Sequence, residues 1–213
     1  KVNQSNALTV SLSAGAGIYV FDGAAHGFAA SAAGVPITLE YRAGSGDWQT
    51  LAEGAALPAY TDVGTYTLRV RASNPNYANK PTAEATLTIT RRDVILRAGS
   101  LNAPYTGEAH TVTDWSVDAT TATTGLVGAD GIQSVTLTDN ERTAPGKNEV
   151  GIVAAAWSTG TNPDNYRVTS VKGALEVTQN AGALGITADG VTLTYDGQGH
   201  RLGYTVTAPE GTP

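Results

Sequence analysis

The chain contains no cysteine and no methionine in its 213 residues. Without cysteine, disulfide bonds, thiol nucleophiles and thiolate metal sites are excluded. Stability must come from burial and strand pairing alone. Without methionine the sequence lacks a natural initiator, and it reads as a fragment of something longer. Charge is scarce as well. Asp, Glu, Lys and Arg make up 15% of the residues, against roughly a quarter in an average domain. The net charge of −6 argues against nucleic acid as a partner, because phosphate binding needs clustered cations. The densest basic spot, Arg91-Arg92 with Arg97 nearby, is too small for such a patch. Apolar runs are short and broken, and none approaches the roughly 18 residues of a membrane-spanning helix.

What is present is apolar residues at 41%, enough for a packed core, together with abundant threonine and 25 glycines. Residues alternate with period two in several places. Tyr66, Leu68 and Val70 alternate with Thr67 and Arg69; Leu87 and Ile89 alternate with Thr86 and Thr88; Val191, Leu193 and Tyr195 alternate with Thr192 and Thr194. This pattern predicts half-buried strands. No window keeps an apolar stripe at helical spacing. Short strands separated by Gly, Pro and Asn predict an all-β fold of immunoglobulin-like sandwiches. A β-grasp fold is the alternative, but it requires a helix that the sequence does not offer.

The landmarks repeat. Turn glycines stand at Gly23, Gly107 and Gly197, spaced by 84 residues (23 to 107) and 90 residues (107 to 197). Asn-Pro pairs begin at Asn74 and Asn162, 51 and 55 residues after the first two of these glycines. Gly64 and Gly146 follow the same glycines by 41 and 39 residues, and closing strands run over 85–90 and 173–178. Four landmarks in one order define tandem units at 1–90 and 91–178 and the opening part of a third at 179–213. The junctions, TRRDV and TQNAGAL, are short and not Pro- or Ser-rich, which favours a stiff rod over flexibly linked beads. The third piece either ends early or packs as an opening strand pair, and a half-finished sandwich exposes unpaired edges that can recruit a second copy.

The segments TYDGQGH and TVTAPEG, with AYTDVGTYTLRVRASNPNYANKPTAEATLTIT, resemble the MBG/YDG-type extracellular repeats of bacterial surface proteins. The segment from APYTGEAHTVTDWSV to NPDNYRVTSVKGALEVT resembles a companion type in such arrays. The resemblance covers essentially the whole chain, from about Ala7 to Pro213. It implies a secreted or wall-anchored adhesin-like parent, an extracellular location, a stalk or spacer role, and host glycan, mucin or a surface protein as candidate partners. It brings no catalytic residues and no cofactor.

All three histidines, His26, His110 and His200, lie three residues after a turn glycine. Asp22 and Asp196 precede two of those glycines and Thr106 precedes the third. A repeated structural turn explains this placement: Gly accepts positive φ, Asp bonds its own backbone, and the imidazole reaches a loop carbonyl. A catalytic triad or a shared zinc ion would need the three rings to converge, and tandem repetition separates them. The Asn74 and Asn162 elements read as Asx-turns, with Tyr77 and Tyr166 packing back on the sandwich. Tyr66 reads as a corner tyrosine whose hydroxyl bonds backbone, a feature the second unit lacks because Asn148 stands in its place.

Trp48, in the glycine-rich tip GSGDWQTL, is the candidate ligand-binding residue, since sugar rings stack on flat exposed aromatics. The alternative is that it covers the end of its own core. Trp115 and Trp157 stand in strand-like contexts and are expected in the core. Asp130, Asp139 and Glu141 are acidic enough to contribute to a calcium site, but the twelve-residue loop pattern is absent. Lys172 near Asn180 is the one pairing that offers a Lys–Asn cross-link. No catalytic set and no metal set is expected.

Overall fold

The computed structural model describes residues 8–33 and 37–208. The described residues form strands throughout, with a single 3₁₀ turn at Pro163–Asn165 and no α-helix. The fold is all-β and immunoglobulin-like, and the β-grasp alternative lacks its helix. The chain divides into two compact units. The first comprises Lys1–Val94, Asp118–Gly131 and Trp157–Thr169; the second comprises Ile95–Val117, Ile132–Ala156 and Ser170–Pro213.

In the first unit the main sheet has five strands in the order Ile18–Val20, Thr82–Thr90, Gly64–Ser73, Thr38–Ala43, Gln49–Leu51. The first of these pairs in parallel with the second, Ile18 opposite Thr88, and the remaining ladders are antiparallel. The long central strand shows why its sequence folds this way. Leu68, Val70 and Ala72 alternate with Arg69 and Arg71, so one face is buried and the other carries charge. A second sheet pairs Thr9–Ser13 with Ala29–Ala33, Val10 opposite Ala32 and Leu12 opposite Ala30. Its Val10, Leu12 and Ala30 pack against the buried core of Ala14, Phe28, Leu68, Val70 and Leu87. Burying a leucine or valine side chain completely contributes roughly 1.5–3 kcal/mol.

The second unit holds a core of Ala98, Val112, Val150 and Leu175, flanked by Leu137 and Ile152. One sheet runs in the order Leu101–Pro104, Gly173–Thr178, Gly146–Trp157, Ile132–Thr138. Its first pair is again parallel, Leu101 opposite Leu175, and the closing strand is antiparallel to Gly146–Trp157. In a second sheet of this unit Leu96 pairs antiparallel opposite Val117 and Ala98 opposite Trp115.

Toward the C-terminus, Gly185–Ala188 pairs antiparallel with Tyr204–Thr207. This repeats the pairing of Thr9–Ser13 with Ala29–Ala33 and of Arg92–Ala98 with Trp115–Val117. Between the two strands lie Val191, Leu193 and Tyr195, which have no ladder partner among the described residues and are 52%, 49% and 94% exposed. The equivalent residues before Gly23 and Gly107 pair in parallel with a closing strand.

Candidate functional site

The three turns share one construction. Gly23, Gly107 and Gly197 have φ of 77°, 86° and 75°, in the left-handed region that glycine enters without a Cβ penalty. The side chain of the preceding residue caps each turn by accepting an N–H two residues on. Asp22 Oδ1 accepts from Ala24 N at 2.9 Å, Asp196 Oδ1 from Gln198 N at 2.9 Å, and Thr106 Oγ1 from Glu108 N at 3.4 Å. The histidine then closes the loop from behind. His26 Nε2 meets Asp22 Oδ1 at 2.9 Å, and His200 Nε2 meets Asp196 Oδ1 at 2.9 Å. Where threonine replaces aspartate, His110 Nε2 turns to the Pro104 carbonyl at 3.1 Å, as expected of a loop-bonding imidazole. Each imidazole is thus engaged by its own turn, and among the described residues no group of three His, Asp or Glu side chains surrounds an ion-sized space.

The Asn-Pro elements are Asx-turns. Asn74 Oδ1 accepts from Asn76 N at 2.7 Å, and Asn162 Oδ1 accepts from Asp164 N at 3.1 Å. Tyr166 folds back and is buried, stacked on Trp157 at 5.3 Å and edge-on to Phe21 at 5.4 Å. Its hydroxyl donates to Asp130 Oδ2 at 2.5 Å and accepts from Val127 N at 3.1 Å. Burial, reinforced by the Asp130 carboxylate, pushes the phenol up to about 12. Tyr77 is only half-buried. The corner at Tyr66 forms: its hydroxyl donates to the Asp62 carbonyl at 2.9 Å, and its ring covers Gly64, where a Cβ would lie 2.8 Å from ring atoms. Asn148 replaces that device differently. Its amide donates to the Asp139 and Glu141 carbonyls at 3.2 Å each, while its oxygen accepts from Arg142 Nη1 at 2.8 Å.

Asp62 and Asn165 add a polar clasp within the first unit. Asn165 is buried; its amide donates to Asp62 Oδ1 at 2.8 Å, and its oxygen accepts from Val63 N at 2.9 Å. The same unit holds the feature that sequence reasoning missed. Arg92 is 3% exposed, although its position in the basic junction reads as surface. Its guanidinium donates to five backbone carbonyls: Nε to Gly125 at 2.9 Å, Nη1 to Phe21 at 3.2 Å and Ala122 at 3.1 Å, and Nη2 to Thr121 at 2.6 Å and Thr124 at 3.0 Å. All five N–H donors of an arginine are thereby used. The signal was available in the sequence: Arg92 stands in phase with Val94, Leu96 and Ala98, the buried face of its strand.

Trp48 lies on neither the core nor an open tip. It is half-buried on the charged outer face of the five-stranded sheet. The guanidiniums of Arg71 and Arg42 stand 4.3 and 5.0 Å from its ring centroid. A cleft of about 420 Å³ opens beside it, lined by Arg42, Trp48, Arg69, Thr82, Ala83 and Glu84. Arg71 grips Glu40 through two bonds of 2.6 and 2.8 Å, which holds the Glu40 carboxyl below its usual range. Arg69 is bonded to Glu84. Trp115 and Trp157 occupy strands as expected; both are half-buried, and Trp157 stacks on the buried Tyr166.

The other candidates engage elsewhere. Asp130 serves Tyr166, Asp139 accepts from Thr138 Oγ1 at 3.2 Å, and Glu141 accepts from Thr111 Oγ1 at 3.5 Å. Lys172 pairs with Glu149 at 2.7 Å, whereas Asn180 caps a turn by accepting from Gly182 N at 2.9 Å. No helix among the described residues is long and apolar enough to cross a membrane.

No family model matches the chain, and no curated protein matches it. Among solved structures it is similar to the fibronectin(III)-like modules of Clostridium thermocellum CbhA, at 17% identity and a TM-score of 0.31, over 80% of this chain and 95% of that one. It is also similar to the D00-D0 domain of Intimin, at 16% identity and a TM-score of 0.24, over 70% of this chain and 96% of that one. Both likenesses are too distant to bear on activity, and the fold rests on the sheet order described above.

Proposed function

We propose that the chain is a non-catalytic, immunoglobulin-like repeat segment of a larger bacterial cell-surface or secreted protein, related to the MBG/YDG-type repeats. It acts there as an extracellular spacer. The repeats run over 1–90 and 91–178, with the opening part of a third over 179–213. The observation that carries this reading is repetition: an antiparallel opening pair and a turn at a positive-φ glycine closed by a histidine recur three times along the chain. The chain leaves the closing strand Thr82–Thr90 and enters Arg92–Ala98 with one residue between them. Arg92 is then fixed by five carbonyls, and Asn165 is clasped by Asp62 and Val63. Small-angle X-ray scattering tests the spacer role. A compact chain of this length has a radius of gyration of about 17 Å. The spacer reading expects a value well above that, and a value near it ends the reading.

A second reading is favoured by Trp48. A half-exposed indole beside an open cleft is the surface on which a glycan or mucin partner would be held. Its test is binding on a glycan array, lost in W48A. A chain that serves as a spacer alone gives no signal on such an array.

A further inference from the structure

The outer face around Trp48 is not electrically balanced. Three arginines from neighbouring strands share it: Arg42 stands directly opposite Arg69, and Arg71 stands directly opposite Glu40. Two carboxylates answer them. Glu40 is taken by Arg71 and Glu84 by Arg69, which it faces across the next ladder. Arg42 is left with an arginine as its cross-strand neighbour, and like charges directly opposite destabilise a sheet. Its Nε–H is buried and has no acceptor among the described residues. Its guanidinium lies against the Trp48 ring, which orients it without neutralising it. Lys80 adds a further positive field at Glu40. This surplus of positive charge occurs in a chain whose net charge is −6.

We propose that the Arg42–Trp48–Arg69 cleft is a binding site for an oxyanion carried on a saccharide, that is, the carboxylate or sulfate group of an acidic sugar. The chemistry follows from the groups present. A planar oxyanion presents two acceptors to a guanidinium and takes the Nη donors of Arg42, which no carboxylate on this face holds. Arg69 contributes field from across the ladder, and Glu84 beside it penalises a ligand that brings a second negative charge deep into the cleft. The open volume of about 420 Å³ accommodates a single sugar ring lying along the exposed edge of Trp48. Because guanidinium groups already cover the indole, ring stacking is not what recognises the ligand, and a neutral sugar gains little. The inference deepens the glycan-binding reading and rests on it, but it is independent of the spacer role.

The test is two-dimensional NMR of the intact chain, following the Trp48 indole N–H and the Arg42 Nε–H. Three oligosaccharide probes of equal length are titrated in low salt: one of uronic acids, one sulfated and one neutral. The proposal expects at least one acidic probe to shift both signals, and the neutral probe to leave them unmoved. Which acidic probe acts identifies the oxyanion. R42Q is expected to weaken the acidic probe about tenfold, as losing a charge-assisted hydrogen-bond pair does. Added salt should weaken it further. Retained spectral dispersion verifies that R42Q is folded, and the comparison of probes on the unaltered chain stands without the variant. Equal binding of neutral and acidic probes would overturn the proposal while leaving a neutral glycan site in place. Absence of any shift at millimolar probe would overturn both.

Discussion

Replacing Arg92 with methionine isolates the contribution of the buried guanidinium. The side chain is similar in length, so little volume is lost, and the change falls on five carbonyls that lose their donors. A hydrogen bond to a charged group contributes about 1.5–3 kcal/mol, and summing five would overshoot. Thr121 and Ala122 are exposed, so their carbonyls recover water. Phe21 and Gly125 are buried, and their carbonyls stay orphaned at about 1–3 kcal/mol each. Transferring an arginine's own desolvation cost away from the folded state offsets part of this. The expected loss is about 3–5 kcal/mol, a large share of the roughly 5–15 kcal/mol available to a domain. In a melting experiment that amounts to about 10–20 °C. The assay is equilibrium urea unfolding followed by tryptophan fluorescence, since Trp157 stacks on Tyr166 in the same unit. R92K is expected to recover less than half of the loss, because one ammonium cannot span five acceptors. R91M is the control: Arg91 is exposed and donates to the Asp164 carbonyl at 2.9 Å, so its removal should cost less than about 0.5 kcal/mol. An R92M stability within 1 kcal/mol of the parent, or equal effects at the two arginines, would refute the reasoning.

Alkaline titration should expose Tyr166. Its folded pKa of about 12 stands above an ordinary value of 10.0, so its contribution is complete below pH 10 and is lost as pH rises toward 12. Two units correspond to at most about 2.7 kcal/mol, and the urea midpoints at pH 9 and 11.5 should differ less in Y166F than in the parent. G23A forces a Cβ to φ 77° and within 2.8 Å of Val127 Cγ1, whereas G44A meets φ 53° with open space. G23A should therefore cost about 2–3 kcal/mol and G44A about 1 kcal/mol, measured by chemical denaturation. Y66F removes the corner bond to Asp62 but keeps the ring over Gly64, so a loss of about 1 kcal/mol is expected, with native-like spectra. In acid, the Glu40 carboxyl is held down chiefly by its hydrogen bond to Arg71, so its contribution is present above its ordinary value of 4.5 and fades as pH falls below that value. A flat unfolding midpoint from pH 5 to pH 2 in the parent, with the same profile in E40Q, would contradict it.

What could be read from the chain was local. Asp-Gly and Thr-Gly turns, Asx-turns at Asn-Pro and the Tyr66 corner depend on residues within a few positions of one another, and all appear with the expected bonds. What escaped was decided by partners remote in sequence. Arg92 bonds carbonyls some thirty and seventy positions away, so its composition suggested a surface cation while its strand phase, available but unweighted, indicated the interior. The glycine-rich context of Trp48 reads as an exposed tip or a core lid; strand register instead lays it on an arginine-rich outer face that no local pattern describes. Asn148 reads locally as the loss of a corner tyrosine, whereas its amide holds three partners at that corner.

The parallel ladders at Ile18–Val20 with Thr88–Thr90 and at Leu101–Pro104 with Gly173–Thr178 carry a mechanical consequence. Each joins an early strand of a fold to its last one, side by side and pointing the same way. Tension applied along the chain pulls those two strands in opposite directions along their length. Their hydrogen bonds are then loaded in shear, all at once, and cannot open one after another like a zip. The order in which the strands were laid down thus places a clamp where the polymer enters and leaves each sandwich.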